Sequence, residues 1–309
     1  MSIVHSVLRR AILAAAESER IHRFVGKHGM RLGAARFVAG ETIDEAVPVL
    51  RRLNERGLLT NTTQLGEGVR DEAETRVVVD TYRELLDRIQ AESLRTNVAV
   101  KLTHLGLVLS EELAYANVAE LVDHARERDN FIRIDMEESA YVDATLRTYR
   151  RLRESGHDNV GTVLQSYLFR TEDDLAGLLD LEPNLRLVKG AYLEPPDVAY
   201  PRKEDVDAAY ERLVELKLSG GGYTAIATHD ERLIERAIAY AEREGIARER
   251  FQFQMLYGVR PRLQLDLVRR GFSVLIATPY GPDWYRYLMR RLAERPANLM
   301  FFARSLFQR

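Results

Sequence analysis

Cysteine is absent from the 309 residues, which excludes structural disulfides, thiolate metal sites and a Cys nucleophile. An excess of one charge is missing as well: 45 Lys and Arg stand against 47 Asp and Glu, a formal net charge of −2. General nucleic-acid binders are usually basic, so this balance argues for an ordinary enzyme and against such a partner. The N-terminal MSIVHSVLRRAILAAAESER has no long apolar core and soon becomes charged. It reads as neither a secretory signal nor a membrane span. Ile3, Val7, Ile12 and Leu13 are interleaved with Arg9 and Arg10, an amphipathic pattern suited to packing on the protein. Contact with a membrane surface is the second reading. The expected location is the cytoplasm, with peripheral contact at the inner membrane surface left open. Low-complexity stretches and internal sequence repeats are missing too.

What is present is a chain 46% hydrophobic and 30% charged, enough for one large domain or a domain with an appendage. Residues 1–57 read as a helical arm; Val47, Leu50 and Leu53 have helical spacing and Gly57 is a sensible stop. From 58 to 309 the pattern changes. Short apolar runs occur at 58–65, 98–102, 131–136, 160–166, 185–189, 223–228, 251–256 and 272–277. Charged amphipathic stretches such as 71–94, 110–128 and 139–155 lie between them. A short run followed by a helix, eight times over, predicts an α/β fold of the parallel (β/α)8 barrel type. A doubly wound open sheet is the alternative; no Gly-rich dinucleotide turn follows the first run, which favours the barrel. Gly220, Gly221 and Gly222 read as a turn into the sixth strand, because no helix begins after them.

Barrels place function at the C-terminal ends of their strands. Those ends carry Lys101, Asp135, Gln165, Arg186 with Lys189-Gly190-Ala191-Tyr192, Thr228-His229-Asp230, Gln254, and Thr278 with Tyr280. Any one of these groups is explained by a salt bridge or a loop cap; a polar group at nearly every mouth position is not. The seven histidines are scattered, and a third ligand to join His229 and Asp230 at a metal is hard to nominate, so no metal is expected. A serine elbow is lacking. A Schiff-base lysine at Lys101 or Lys189 stays open. A site rich in Arg, Lys, Gln and Thr, with few proton-transfer groups, suits an anionic cofactor that carries the chemistry.

Near the C-terminus, YLMRRLAERPAN places Tyr287, Arg290, Arg291 and Glu294 at i, i+3, i+4 and i+7, one helical face. Asp283 is a plausible N-cap and Pro296 a stop. Two adjacent guanidinium groups make a clamp for a carboxylate or phosphate.

Taken together, VAVKLTHLGL, FIRIDMEES, VGTVLQSYLFRT, LRLVKGAYLEP, ATHDER, FQFQMLYGVR and YLMRRLAERPAN resemble the FAD-dependent proline dehydrogenase family, particularly its single-function bacterial members. The resemblance runs in order through nearly the whole chain. It implies a (β/α)8 barrel with FAD at the strand ends, oxidation of L-proline to 1-pyrroline-5-carboxylate by hydride transfer to flavin N5, and electrons passed to a membrane quinone. It also implies site roles. Lys101, Arg290 and Arg291 would hold the substrate carboxylate; Ala191, Tyr192, Leu256 and Tyr287 would line the ring; Asp135 and Glu294 would orient the cations. Arg186 and Gln165 would lie at the flavin ring, and Lys189, Gly190, Thr228, His229 and Gln254 would serve the rest of the FAD. No dedicated base is identified, so water or a slow pre-equilibrium would take the amine proton. The product imine hydrolyses to an aldehyde, which makes an aldehyde dehydrogenase the functional partner that the family suggests.

Three positions depart from the family pattern. The family's Y-x-P-x-G after strand eight is Ala277-Thr278-Pro279-Tyr280-Gly281 here, so a pocket-closing tyrosine is replaced by Ala277. Tyr280 is a candidate stand-in, although it matches a second family tyrosine in its own right. Thr63 and Gln252 each replace a carboxylate. These changes leave open 4-hydroxyproline or a bulkier cyclic imino acid as substrate, a flavin-binding barrel with weak or lost catalysis, and a phosphate-handling barrel with another cofactor.

Overall fold

A computed structural model describes residues 34–66, 68–285 and 287–289. Its strands are β1 Leu59–Thr62, β2 Thr96–Val100, β3 Ile132–Ile134, β4 Val160–Gln165, β5 Asn184–Val188, β6 Tyr223–Ala227, β7 Phe251–Leu256 and β8 Val274–Ala277. They form a closed barrel in chain order. Each neighbouring pair is parallel, and β8 returns to β1 through Leu59↔Leu275, Thr60↔Ile276 and Asn61↔Ala277. Helix α1, Ile43–Glu55, precedes the barrel; α2 Glu72–Ala91, α3 Glu111–Arg126, α4 Val142–Glu154, α5 Thr171–Ala176, α6 Lys203–Ser219, α7 Glu231–Arg243 and α8 Pro261–Arg269 follow successive strands. This is the predicted (β/α)8 architecture. Most of the apolar runs overshoot the ladders by one to three residues, and Lys101 and Thr228 sit one residue beyond β2 and β6.

Local chemistry sets the helix starts. Thr42 caps α1 through Glu45 N, Asp71 caps α2 through Glu74 N, Ser110 caps α3 through Leu113 N, and Asp230 caps α7 through Arg232 N. Each cap satisfies an N–H that has no partner within the helix. At the chain's far end, Trp284, Tyr285 and Tyr287–Met289 are helical, so the C-terminal helix starts directly after Asp283, as its sequence suggests.

Alternation along the strands separates two environments. Val98, Val100, Ile132, Ile134, Leu185, Leu187, Phe253, Val274 and Ile276 join the helices' apolar faces in one buried cluster. Each such side chain contributes roughly 1.5–3 kcal/mol. The intervening positions turn into the barrel, and many of them are polar: Asn61, Arg133, Asp135, Gln165, Arg186 and Gln254. The barrel is thus held from outside by packing and filled inside by hydrogen bonds.

The helical reading of 1–57 holds for α1, whose Ala46, Val47, Leu50 and Leu53 are buried. It fails for 37–42, where no helix forms. The backbone there bonds to the barrel mouth instead: Ala39 N donates to Pro279 O at 2.8 Å and Gly40 O accepts from Gly281 N at 3.0 Å. Those groups are unavailable for helical pairing. Residues 1–33 lie outside the described residues.

Candidate active site

A cavity of about 460 Å³ opens at the C-terminal ends of the strands. Among its lining residues are Lys101, Asp135, Gln165, Arg186, Lys189, Gly190, Ala191, Tyr192, Thr228, His229, Gln254, Leu256, Ala277 and Tyr287. The structure therefore brings these candidates to one place, while Thr278 and Tyr280, also strand-end candidates, are buried outside the cavity lining. Arg290, Arg291 and Glu294 lie outside the described residues; of the clamp face only Tyr287 is described, and it reaches the cavity from the C-terminal helix.

Arg186 forms the floor. Its Nε donates to Gln254 Oε1 at 2.6 Å, Nη1 to Asp135 Oδ1 at 2.8 Å and Nη2 to Asn61 Oδ1 at 3.1 Å. Side chains from β1, β7 and the end of β3 thus converge on one guanidinium from β5. The fork geometry explains why arginine serves here and lysine would not. Burial pushes the Arg186 pKa below its ordinary value, and the Asp135 carboxylate opposes that shift. Three of the five guanidinium N–H groups are accounted for in this way.

The walls come from the βα loops. Lys189 Nζ donates to Asp207 Oδ1 at 2.5 Å and lies 3.7 Å from Asp230 Oδ2. Asp207 is buried on α6; burial alone would raise its pKa, but Lys189 and Lys203 outweigh that and hold it below the usual carboxylate range. His229 Nε2 accepts from Leu256 N at 2.9 Å, so in the neutral ring Nδ1 carries the proton. Arg260 Nη1 anchors the carbonyl of His229 at 2.8 Å. Thr228 Oγ1 accepts from Asp230 N at 3.2 Å. Gln165 Nε2 donates to the carbonyl of Glu137 at 2.9 Å. The Glu137 carboxylate is itself buried and takes Thr103 N at 3.1 Å and Thr103 Oγ1 at 2.5 Å; burial raises its pKa. This pair ties the loop after β3 to the loop that carries Lys101.

Gly190 has φ +116, and a Cβ there would sit 2.3 Å from the Tyr167 ring. Only glycine lets the 189–191 backbone lie along this wall. The donors around the cavity, four cations (Lys101, Arg186, Lys189 and Lys203) with amides, a hydroxyl and an imidazole, fit a large anionic cofactor better than a metal.

The altered positions are also placed. Ala277 and Thr63 line the cavity. Tyr280 does not: it is buried in the outer apolar cluster and its hydroxyl has no hydrogen-bond partner. Thr63 Oγ1 lies 3.2 Å from the buried Tyr82 hydroxyl, a contact between neutral groups. Sequence reasoning missed Asn61, Asp207 and Phe37. Asn61 sits in an ordinary alternating run, and Asp207 on a helix with no local motif. Phe37, half-buried, lines the cavity from outside the barrel.

Comparison with known proteins agrees with this geometry. A family model described as proline dehydrogenase matches residues 46–304. Proline dehydrogenase 1 of Bacillus subtilis (strain 168) is 39% identical, the match covering 98% of this chain and all of the relative. The proline dehydrogenase of Deinococcus radiodurans is 40% identical, covering 99% of this chain and all of the relative. Among solved structures, proline utilization A from Bdellovibrio bacteriovorus inactivated by N-propargylglycine is similar, with a TM-score of 0.82 and 25% identity. That match covers 91% of this chain and 34% of the longer protein. The chain belongs to the proline dehydrogenase family, a family of oxidoreductases.

Proposed function

We propose that this protein oxidises L-proline to 1-pyrroline-5-carboxylate with FAD as its cofactor and a membrane quinone as the final electron acceptor. FAD, when bound, supplies the hydride acceptor at N5. The observation that carries the reading is the Arg186 floor, where Asp135, Gln254 and Asn61 hold one guanidinium beneath a cavity ringed by Lys101, Lys189, Gln165 and His229. A guanidinium fixed by three strands is pre-organised to meet an electron-rich ring edge, with little reorganisation during the reaction. Lys189, Gly190, Thr228 and His229 line the side suited to the cofactor's phosphates and sugar.

Lys101, with Arg290 and Arg291 of the C-terminal helix motif, holds the substrate carboxylate; Asp135 and Glu294 orient that cationic set. Ala191, Tyr192, Leu256 and Tyr287 enclose the ring and exclude water. Holding a small zwitterion by its carboxylate fixes where its ring carbon lies, which is the larger part of what such a site contributes. The cyclic imine product opens in water to an aldehyde. The relatives named bifunctional PutA proteins support an aldehyde-oxidising enzyme as the next consumer. Among the described residues no helix is long and apolar enough to cross a membrane.

A second reading rests on Ala277. Because it lines the cavity and Tyr280 does not, a larger cyclic imino acid would find room at the ring end. The test is to extract and identify the flavin from purified protein, then to assay L-proline, 4-hydroxy-L-proline and L-pipecolate with an artificial electron acceptor. FAD with preference for L-proline supports the first reading, and preference for pipecolate the second. A colourless protein inactive on all three overturns both.

A further inference from the structure

We propose that Phe37, from the segment ahead of α1, is the specificity residue that closes the ring end of the substrate pocket in place of the aromatic ring missing at Ala277. The inference rests on the L-proline reading above and is the alternative to a larger ring filling that space.

Phe37 and Ala277 line the same cavity, together with Thr63, Leu256 and Tyr287. The backbone shows why they are neighbours. Ala39, two residues after Phe37, donates its N–H to the carbonyl of Pro279, two residues after Ala277, at 2.8 Å. On the other flank, Tyr257 N donates to Ala277 O at 2.9 Å. The next residue, Gly258, has φ +75 and lies so close to the carbonyl of Arg36 that a Cβ would fall 1.9 Å from its oxygen. The segment 36–40 is therefore seated against both backbone neighbours of Ala277, with Phe37 between the two anchor points.

The seat is firm. Gly281 N bonds to Gly40 O at 3.0 Å, Glu41 N to Glu45 Oε2 at 2.8 Å, and the buried Trp284 indole N–H to Glu41 Oε1 at 2.9 Å. Outside the cavity, the Arg36 guanidinium lies 5.8 Å from the Phe37 ring centre. Tyr280, the aromatic residue of the loop after β8, lies in the outer cluster and not in the cavity lining.

A phenyl ring differs from a tyrosine in having no hydroxyl. The wall it forms is apolar and offers no partner to a hydroxyl on the substrate ring, so a 4-hydroxylated ring would be bound with an unpaired polar group. The pocket therefore favours an unsubstituted ring over a hydroxylated one. The device also makes ring selection depend on the segment before α1, not on the barrel alone.

The test compares Phe37→Ala, Ala277→Tyr and the double variant with the parent protein, measuring KM and kcat for L-proline, 4-hydroxy-L-proline and L-pipecolate, and the melting temperature. Phe37→Ala should raise KM for L-proline about ten-fold, change kcat less, and narrow the gap between proline and its hydroxylated analogue. Ala277→Tyr alone should crowd Phe37 and lower both activity and melting temperature. The double variant should recover both, because the new ring takes the vacated space; the two effects would then be strongly non-additive. Phe37→Leu, which keeps apolar bulk, should stay within about three-fold of the parent and serves if Phe37→Ala does not fold. Unchanged KM for all three substrates in a folded Phe37→Ala protein overturns the proposal, as do additive effects in the double variant; if Phe37→Ala does not fold, Phe37→Leu takes its place in the double variant, and failure to relieve Ala277→Tyr there overturns it. If the parent protein oxidises none of the three, the functional reading fails by itself. The Phe37–277 coupling is still read from the melting temperatures, where additivity overturns it.

Discussion

Two arginines inside the barrel, Arg133 on β3 and Arg186 on β5, are both buried and are held in opposite ways. Arg133 donates to backbone oxygens, Thr162 O at 2.9 Å and Asn184 O at 2.8 Å, and to Asn184 Oδ1 at 2.5 Å, with its guanidinium 4.9 Å from the Phe131 ring centre. Arg186 donates only to side chains, from three different strand regions, and faces the cavity. Burial lowers the pKa of both; for Arg133 the charge of Arg186 is the next contribution, whereas for Arg186 Asp135 opposes the shift. An arginine spent on backbone carbonyls closes the bottom of the barrel. One spent on an acid and two amides at the mouth lines the cavity instead. Equal burial therefore marks structure in one case and a site in the other, and the identity of the acceptors decides which.

The contrast breaks most sharply at Arg186. Arg186→Lys keeps the charge but loses the fork that spans Asp135, Gln254 and Asn61. Turnover of L-proline should fall at least about 100-fold, with flavin content reduced, in protein that still folds. Full activity in that variant would place the functional cation elsewhere. Arg133→Met should do the reverse. It leaves Asn184 and Thr162 oxygens unpartnered and should cost about 3 kcal/mol in urea unfolding, while the folded fraction keeps its flavin. A third buried cation sharpens the rule. Lys217 on α6 is fully buried and donates to the backbone oxygen of Gly221. Burial, with lesser repulsion from Arg250 and Arg133, pushes its pKa from 10.5 down to about 8. A depressed amine pKa means the charged form is disfavoured in the fold, so stability should rise as pH climbs from about 8 to about 10.5. Lys217→Met removes that penalty. It should be more stable than the parent by about 2 kcal/mol at pH 7, after allowing for the lost hydrogen bond, and the advantage should vanish by about pH 10.5. Thermal unfolding across this range reads the sign directly.

The fold was legible because its signals are local. Eight apolar runs separated by amphipathic stretches left little choice of architecture, and the stretches read at 71–94 and 110–128 open on the caps Asp71 and Ser110. The strand-end candidates were legible for the same reason: a parallel barrel turns position along a strand into position around a mouth. What escaped depends on contacts distant in sequence. Asn61 matters only because Arg186, 125 residues later, reaches it. Asp207 matters because Lys189 needs a carboxylate on the following helix. Phe37 falls in a stretch read as helix, and the bonds of Ala39 to Pro279 and of Gly40 to Gly281 show that the segment lies over the mouth. The tyrosine missing at 277 was visible in the sequence; what stands beside the gap was not.

The proposed activity requires that this cavity hold FAD and reduce it with a cyclic imino acid. The direct measurement is anaerobic mixing of the purified, oxidised protein with L-proline while the flavin absorbance is followed. The oxidised flavin band should bleach and 1-pyrroline-5-carboxylate should appear in proportion, with the bleaching lost in Arg186→Lys. A flavin band unchanged by L-proline, 4-hydroxy-L-proline and L-pipecolate alike would contradict the proposed activity.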